Sequence, residues 1–154
     1  MDANQLRQLI IEPVCDHLGL KSPVATNLLL GTCAQESHMG AYIKQVGAGP
    51  ALGIYQMEPA THDDLWKNFL AYKPALATLV KDYSLKQADS QQLVGNLFYA
   101  TAMIRVHYYR IPAALPGDPA NIAALAHYWK LYYNTPLGAG TEAEFIANYK
   151  KYVA

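Results

Sequence analysis

The chain reads as one mainly α-helical domain with a single small β-hairpin. Three observations lead there. Apolar residues recur at helical spacing between clear caps along most of its length. One Gly-rich stretch, residues 44–58, breaks that rhythm and ends in a short strand-like run. A length of 154 residues with 52% hydrophobic and 16% charged side chains fits a single packed core, so residues 1–154 are taken as one domain.

Asp2 to Leu18 forms an amphipathic stripe through Leu6, Leu9, Ile10, Val14 and Leu18, with Pro13 as a candidate kink. Gly19 fits the C′ position. Ser22-Pro23 is a cap and first-turn pair for a second helix running to about Ser37, with Gly40 available to stop it. That helix is apolar nearly all round, as a central helix is. Thr61 is expected to cap a third helix carrying Leu65, Trp66, Phe69 and Leu70, with Asp63 and Asp64 in its first turn. Pro74 starts a short helix. Asp89 or Ser90 caps a long one to about Tyr109, which contains Asn96, and a buried Asn needs partners. Asp118-Pro119 is expected to cap the helix through Tyr128 and Trp129. Thr141 and Glu144 make a capping box for the last helix.

Composition narrows the function. Lys plus Arg and Asp plus Glu each total 12, for zero net charge. With no basic run, nucleic acid is not an expected partner. Cys15 and Cys33 are too few for a disulfide framework and read as buried free thiols, with a bridge as the alternative. His38, His62, His107 and His127 are scattered without ligand spacing, so neither metal nor other cofactor is expected. The N-terminus lacks the features of a secretory signal, and no apolar run is long enough for stable membrane insertion. Synthesis in a cytoplasm follows as the expectation.

Glu36 is the candidate catalytic residue. Between Lys21 and Lys44 it carries the one formal charge, at the end of a strongly apolar segment. Burial would hold its proton near neutral pH, and the negative end of a helix dipole would push the same way. A protonated Glu is what a general acid has to be. The competing reading is a solvated Glu at a helix end. Beyond it, Gly47, Gly49, Gly53 and Pro50 favour tight turns, and Ile54, Tyr55, Gln56 and Met57 read as a strand leaving them. Acid, hairpin and Gln would then form one wall of a cleft.

Glu36-Ser37, followed by Gly53-Ile54-Tyr55-Gln56-Met57 and Pro59-Ala60-Thr61, resembles the lytic transglycosylase family of the lysozyme superfamily, and also phage cell-wall lysins. The family pattern is Glu-Ser, then Gly-Leu-Met-Gln, then Pro-Ala-Thr. The resemblance covers about a fifth of the chain specifically and three later places loosely. It implies a lysozyme-like domain with the hairpin beside the cleft, acting as a phage-encoded monomer on peptidoglycan glycan strands. Delivery to the cell wall would need a holin, a virion or a secretion machine. It implies Glu36 as acid and then base, with Ser37, Tyr55, Gln56 and Tyr128 as candidates for binding substrate, and Glu58, two residues after Gln56 on the expected strand, joins them as a cleft-rim candidate from its position alone. Glu58 departs from the family's apolar residue, and a hydrolytic muramidase using Glu36 and Glu58 is the first alternative. A glycan-binding virion module without turnover is the second. The family's Ala-Tyr-Asn-x-Gly motif fits two places in part: Tyr128, which is preferred, and Tyr133-Asn134. In the last helix Phe145 and Ala147 stand where the family has Glu and Arg, which removes a usual supporting acid.

Overall fold

A computed structural model describes residues 1–154, and it is mainly helical. The first helix comes in two pieces, α1 (Ala3–Leu6) and α2 (Glu12–His17), joined by a π turn over Arg7–Ile11. Pro13 accounts for the turn: it has no N–H to give, and its ring would meet the carbonyl one turn back. The Glu12 amide reaches Arg7 O instead, and the stripe continues on a reset face. Gly19, at φ +67°, closes α2 as expected. Gly19 N donates to Asp16 O at 2.9 Å and Leu20 N to Cys15 O at 2.8 Å, which is a complete Schellman stop.

Helix α3 (Pro23–Ser37) is the axis of the molecule. Ser22 Oγ accepts from Ala25 N at 3.0 Å and Pro23 occupies the first turn. Eleven of its fifteen residues are buried, so it has no solvated face to speak of. Its closest neighbour is α9 (Glu142–Tyr152), started by the expected Thr141–Glu144 capping box. Gly31 lets the two approach: a Cβ there would lie 2.2 Å from Phe145 Cζ. Against another side of α3 runs α7 (Leu97–Arg110), also buried over most of its length. Thr32 Oγ1 and Tyr108 Oη join them at 2.8 Å.

The remaining helices are α4 (Pro59–Asn68), α5 (Pro74–Lys81), α6 (Gln92–Gly95) and α8 (Ile122–Trp129), which ends in a π turn over Lys130–Asn134. One apolar cluster of 34 buried residues draws on every helix. Cys15 and Cys33 lie in it as free thiols. No helix is long and apolar enough to cross a membrane.

Four local expectations are corrected. Helix α4 begins at Pro59, whose fixed φ suits a first turn, so Thr61 is not its cap and Asp63 and Asp64 fall in the second turn. There Asp63 accepts from His62 Nδ1, and Asp64 pairs with Arg110 on α7. The long helix is split at Asn96, whose Oδ1 accepts from Tyr99 N at 3.0 Å and whose Nδ2 donates to Tyr83 O at 2.7 Å. Those are the partners a half-buried Asn requires, and they make it a cap. Asn121, three residues beyond Asp118, caps α8 through Ala124 N. Finally, residues 44–58 hold two isolated antiparallel bridges, Lys44 with Leu52 and Leu52 with Met57, and no regular strand.

Candidate active site

Helix α3 ends abruptly. His38, Met39 and Gly40 take φ of 49°, 59° and 82°, so the chain turns left-handed for three residues. For the two non-glycines that costs about 1 kcal/mol each. Ser37 holds the turn. Its buried hydroxyl accepts from Gly40 N at 2.9 Å and donates to Ile54 O at 2.6 Å. The helix end is thereby tied to the loop that faces it, and Glu36 is left projecting between them.

The Glu36 carboxyl meets one protein donor, the indole of Trp129, with Nε1 to Oε1 at 2.8 Å. Trp129 is wholly buried, packed 5.3 Å from the Phe145 ring. Burial raises the Glu36 pKa from 4.5 to about 7, and the indole hydrogen bond pulls back the other way. Near neutral pH the carboxyl is therefore poised between its two forms. The competing reading of Glu36 as a solvated helix-end residue does not fit this setting.

Opposite Glu36 lies the turn made by Gly53. Leu52 and Met57 exchange backbone hydrogen bonds of 2.9 and 3.0 Å around residues 53–56. Gly53 has φ +76°, and a Cβ on it would sit 2.0 Å from Leu93 O, so no other residue fits. Gln56 also takes a left-handed φ of 50° and donates Nε2 to Gly53 O at 2.7 Å. Between the two walls opens a cleft of about 780 Å³ lined by Glu36, Gln56, Met57, Glu58 and Thr61. Tyr42, Gln45, Val46 and Ala51 form one lip, and Tyr133, Asn134, Thr135 and Gly138 form the other. His107 lines it as well.

The structure brings three of the expected residues to this cleft: Glu36, Gln56 and Glu58. Glu58 is exposed there, at the start of α4, and makes no capping bond. The other three are elsewhere. Ser37 is buried as the clasp just described and faces no cleft. Tyr55 turns inward, its hydroxyl 3.0 Å from Thr101 Oγ1. Tyr128 points away, donating to Ala113 O at 2.9 Å and packing on Tyr132. Of Tyr128 and Tyr133, the one at the cleft is Tyr133, which donates to Tyr55 O at 2.6 Å. Burial first, and the nearby Glu36 carboxylate second, keep its phenol well above the ordinary value. The preference for Tyr128 over Tyr133 is thus corrected: the π turn after α8 adds a residue to the helix and moves Tyr133 round to the cleft.

Two residues at the site were not singled out from the sequence. Trp129 is a core aromatic with its single polar atom used on Glu36. His107 is neutral: burial lowers its pKa to about 4. Nε2 lies 2.9 Å from Tyr132 O, a carbonyl, so Nε2 carries the proton and Nδ1 is left as a buried acceptor without a partner. No three His, Cys, Asp or Glu side chains converge on a metal-sized site.

Comparison of the chain with protein families, curated proteins and solved structures returns no match. The chemistry has to be argued from the cleft.

Proposed function

We propose that this protein cleaves the β-1,4 bond between N-acetylmuramic acid and N-acetylglucosamine in peptidoglycan, as a lysozyme-like lytic transglycosylase. The observation that carries the reading is a carboxyl titrating near 7, held by an indole N–H and open to a cleft of sugar-binding size.

Cleavage begins when protonated Glu36 gives its proton to the bridging oxygen, and the bond from that oxygen to the muramoyl C1 breaks. The N-acetyl group of the same sugar covers the electron-poor C1, so a second carboxylate is not needed. Glu36, now ionised, removes the proton from the muramoyl 6-hydroxyl. That oxygen closes on C1, giving a 1,6-anhydro end with no water consumed. Gln56 supplies amide groups opposite the acid for the sugar's acetamido or hydroxyl groups. Its left-handed backbone is consistent with strain kept at a functional position.

Glu58 supports a second reading. It lies in the same cleft, its carboxylate making no hydrogen bond to the protein, and that free carboxylate favours a role in activating water. The enzyme would then be a hydrolytic muramidase. Digestion of purified peptidoglycan and mass measurement of the muropeptides separates the two, because an anhydro end is lighter than a hydrolysed one by one water. Loss of anhydro product in Glu36→Gln supports the first reading. Binding of the wall by the parent protein with no sugar released overturns both and leaves a glycan-binding virion module.

A further inference from the structure

The lip formed by residues 134–140 is built around one ammonium group. Lys130 Nζ donates to Asn134 Oδ1 at 2.7 Å, to Gly138 O at 2.8 Å and to Gly140 O at 2.7 Å. Three donors meet three acceptors, so the head group is fully used. All three acceptors are neutral, and no carboxylate lies within ion-pair distance of it. A half-buried charge satisfied only by amide oxygens of one loop has little to do but hold that loop.

The loop it holds touches the acid's one partner. Gly140 lies close against Trp129: a Cβ on it would be 2.7 Å from Cη2 of the indole. Gly138 is as tight on Asn134, where a Cβ would be 2.3 Å from the carbonyl oxygen. Trp129 thus packs against both the Phe145 ring and the Gly140 backbone, with its N–H on Glu36. Thr135 and Gly138 of the same loop face the cleft.

We propose that Lys130 is a positioning residue for Glu36, acting through the 134–140 loop and the Trp129 indole, and that it sets the shape of the cleft's second lip. The role rests on the reading of Glu36 as the acid, but its test does not need turnover. Lys130→Met keeps the methylene stem and removes the three donors. Lys150→Met, on the exposed side of α9, removes the same charge as a control.

The expected result in Lys130→Met is a Trp129 indole N–H that exchanges with solvent at least tenfold faster. The Glu36 carboxyl, followed by carbon NMR, should titrate lower than in the parent, because burial is the larger cause of its raised value. Of the titratable groups that line the same cleft, Glu58 and His107 make no bond to Lys130, and Tyr133 keeps its own bond to Tyr55 O, so the change reports on cover and not on charge neighbours. Where a glycan is cleaved, the alkaline limb of the pH profile should move down with the titration. A folded Lys130→Met with unchanged indole exchange and unchanged Glu36 titration overturns the proposal. Should Lys130→Met not fold, Gly140→Ala decides: its new methyl displaces the loop from Trp129 with Lys130 intact, and the same two signals must move.

Discussion

Glu36→Gln separates the acid's chemistry from its burden on folding. The unfolded chain releases this proton near 4.5 and the folded chain near 7. Below 4.5 both states hold the proton, and folding loses nothing there. As pH rises through 7 the folded state is left with a carboxylate in a poorly solvated site. By linkage the loss accumulates between 4.5 and 7, where the unfolded chain has released the proton and the folded chain still holds it, and levels off above 7 at about 3 kcal/mol. Glutamine keeps the shape and still accepts from Trp129 Nε1, but it cannot ionise. The variant should therefore match the parent at pH 4 and exceed it by about 3 kcal/mol at pH 8. For a chain of this size that is a gap of about 6–12 °C in Tm. Every other titrating group is common to both proteins and cancels in the difference. The assay is thermal or urea unfolding of the pair at several values between pH 4 and pH 9. Activity should move oppositely, falling about 10²–10⁴-fold with loss of the proton donor. Two parallel stability curves across that range would refute the reasoning, because they would mean that Glu36 ionises as freely folded as unfolded.

Three further outcomes are expected. Trp129→Phe keeps an aromatic ring packed on Phe145 and removes the N–H that favours the charged carboxylate. The Glu36 midpoint should rise above the parent's, carrying the alkaline limb of the activity profile upward, as a pH–rate series would show. Gly53→Ala meets both a left-handed φ and the Leu93 carbonyl. It should lower the urea-unfolding free energy by more than about 2 kcal/mol and depress cleavage by displacing Gln56. Asn96→Ala removes the α7 cap at a cost of about 1 kcal/mol, read as a lower urea midpoint at unchanged slope.

What could be read from the residues is what depends on near neighbours. Gly19, Ser22-Pro23 and the Thr141–Glu144 box act within one helical turn, and each lands where expected. Thr61 and Asp118 failed for a local reason: a better start signal lay close by, at Pro59 and Asn121. The run Ile54–Met57 failed for another. Its apolar residues are buried on all sides and not on alternate ones, so a compact turn satisfies the same composition as a strand. Glu36 stood out because a lone charge in an apolar helix is unusual however the chain folds. Its partner Trp129 is 93 positions away and resembles any buried Trp until the packing is seen. Tyr128 and Tyr133 differ by one π turn, which no spacing rule anticipates.

The acid has two opposed requirements. On the proposed reading it must be dry enough to keep a proton near pH 7, and it must reach a polymer that enters from water. A helix end answers both if it is stopped sharply, because the side chain then leaves the core on one side and faces open space on the other. The stop here is strained, with His38 and Met39 left-handed, so something must oppose its relaxation. Ser37 does so from the Ile54 side, and Lys130 holds the rear cover from the Gly140 side. Neither hydroxyl nor ammonium needs to meet substrate for this. Loosening either clasp should let water to Glu36 well before the helical core gives way, so the chemistry of this site is expected to fail at milder denaturant than the fold does.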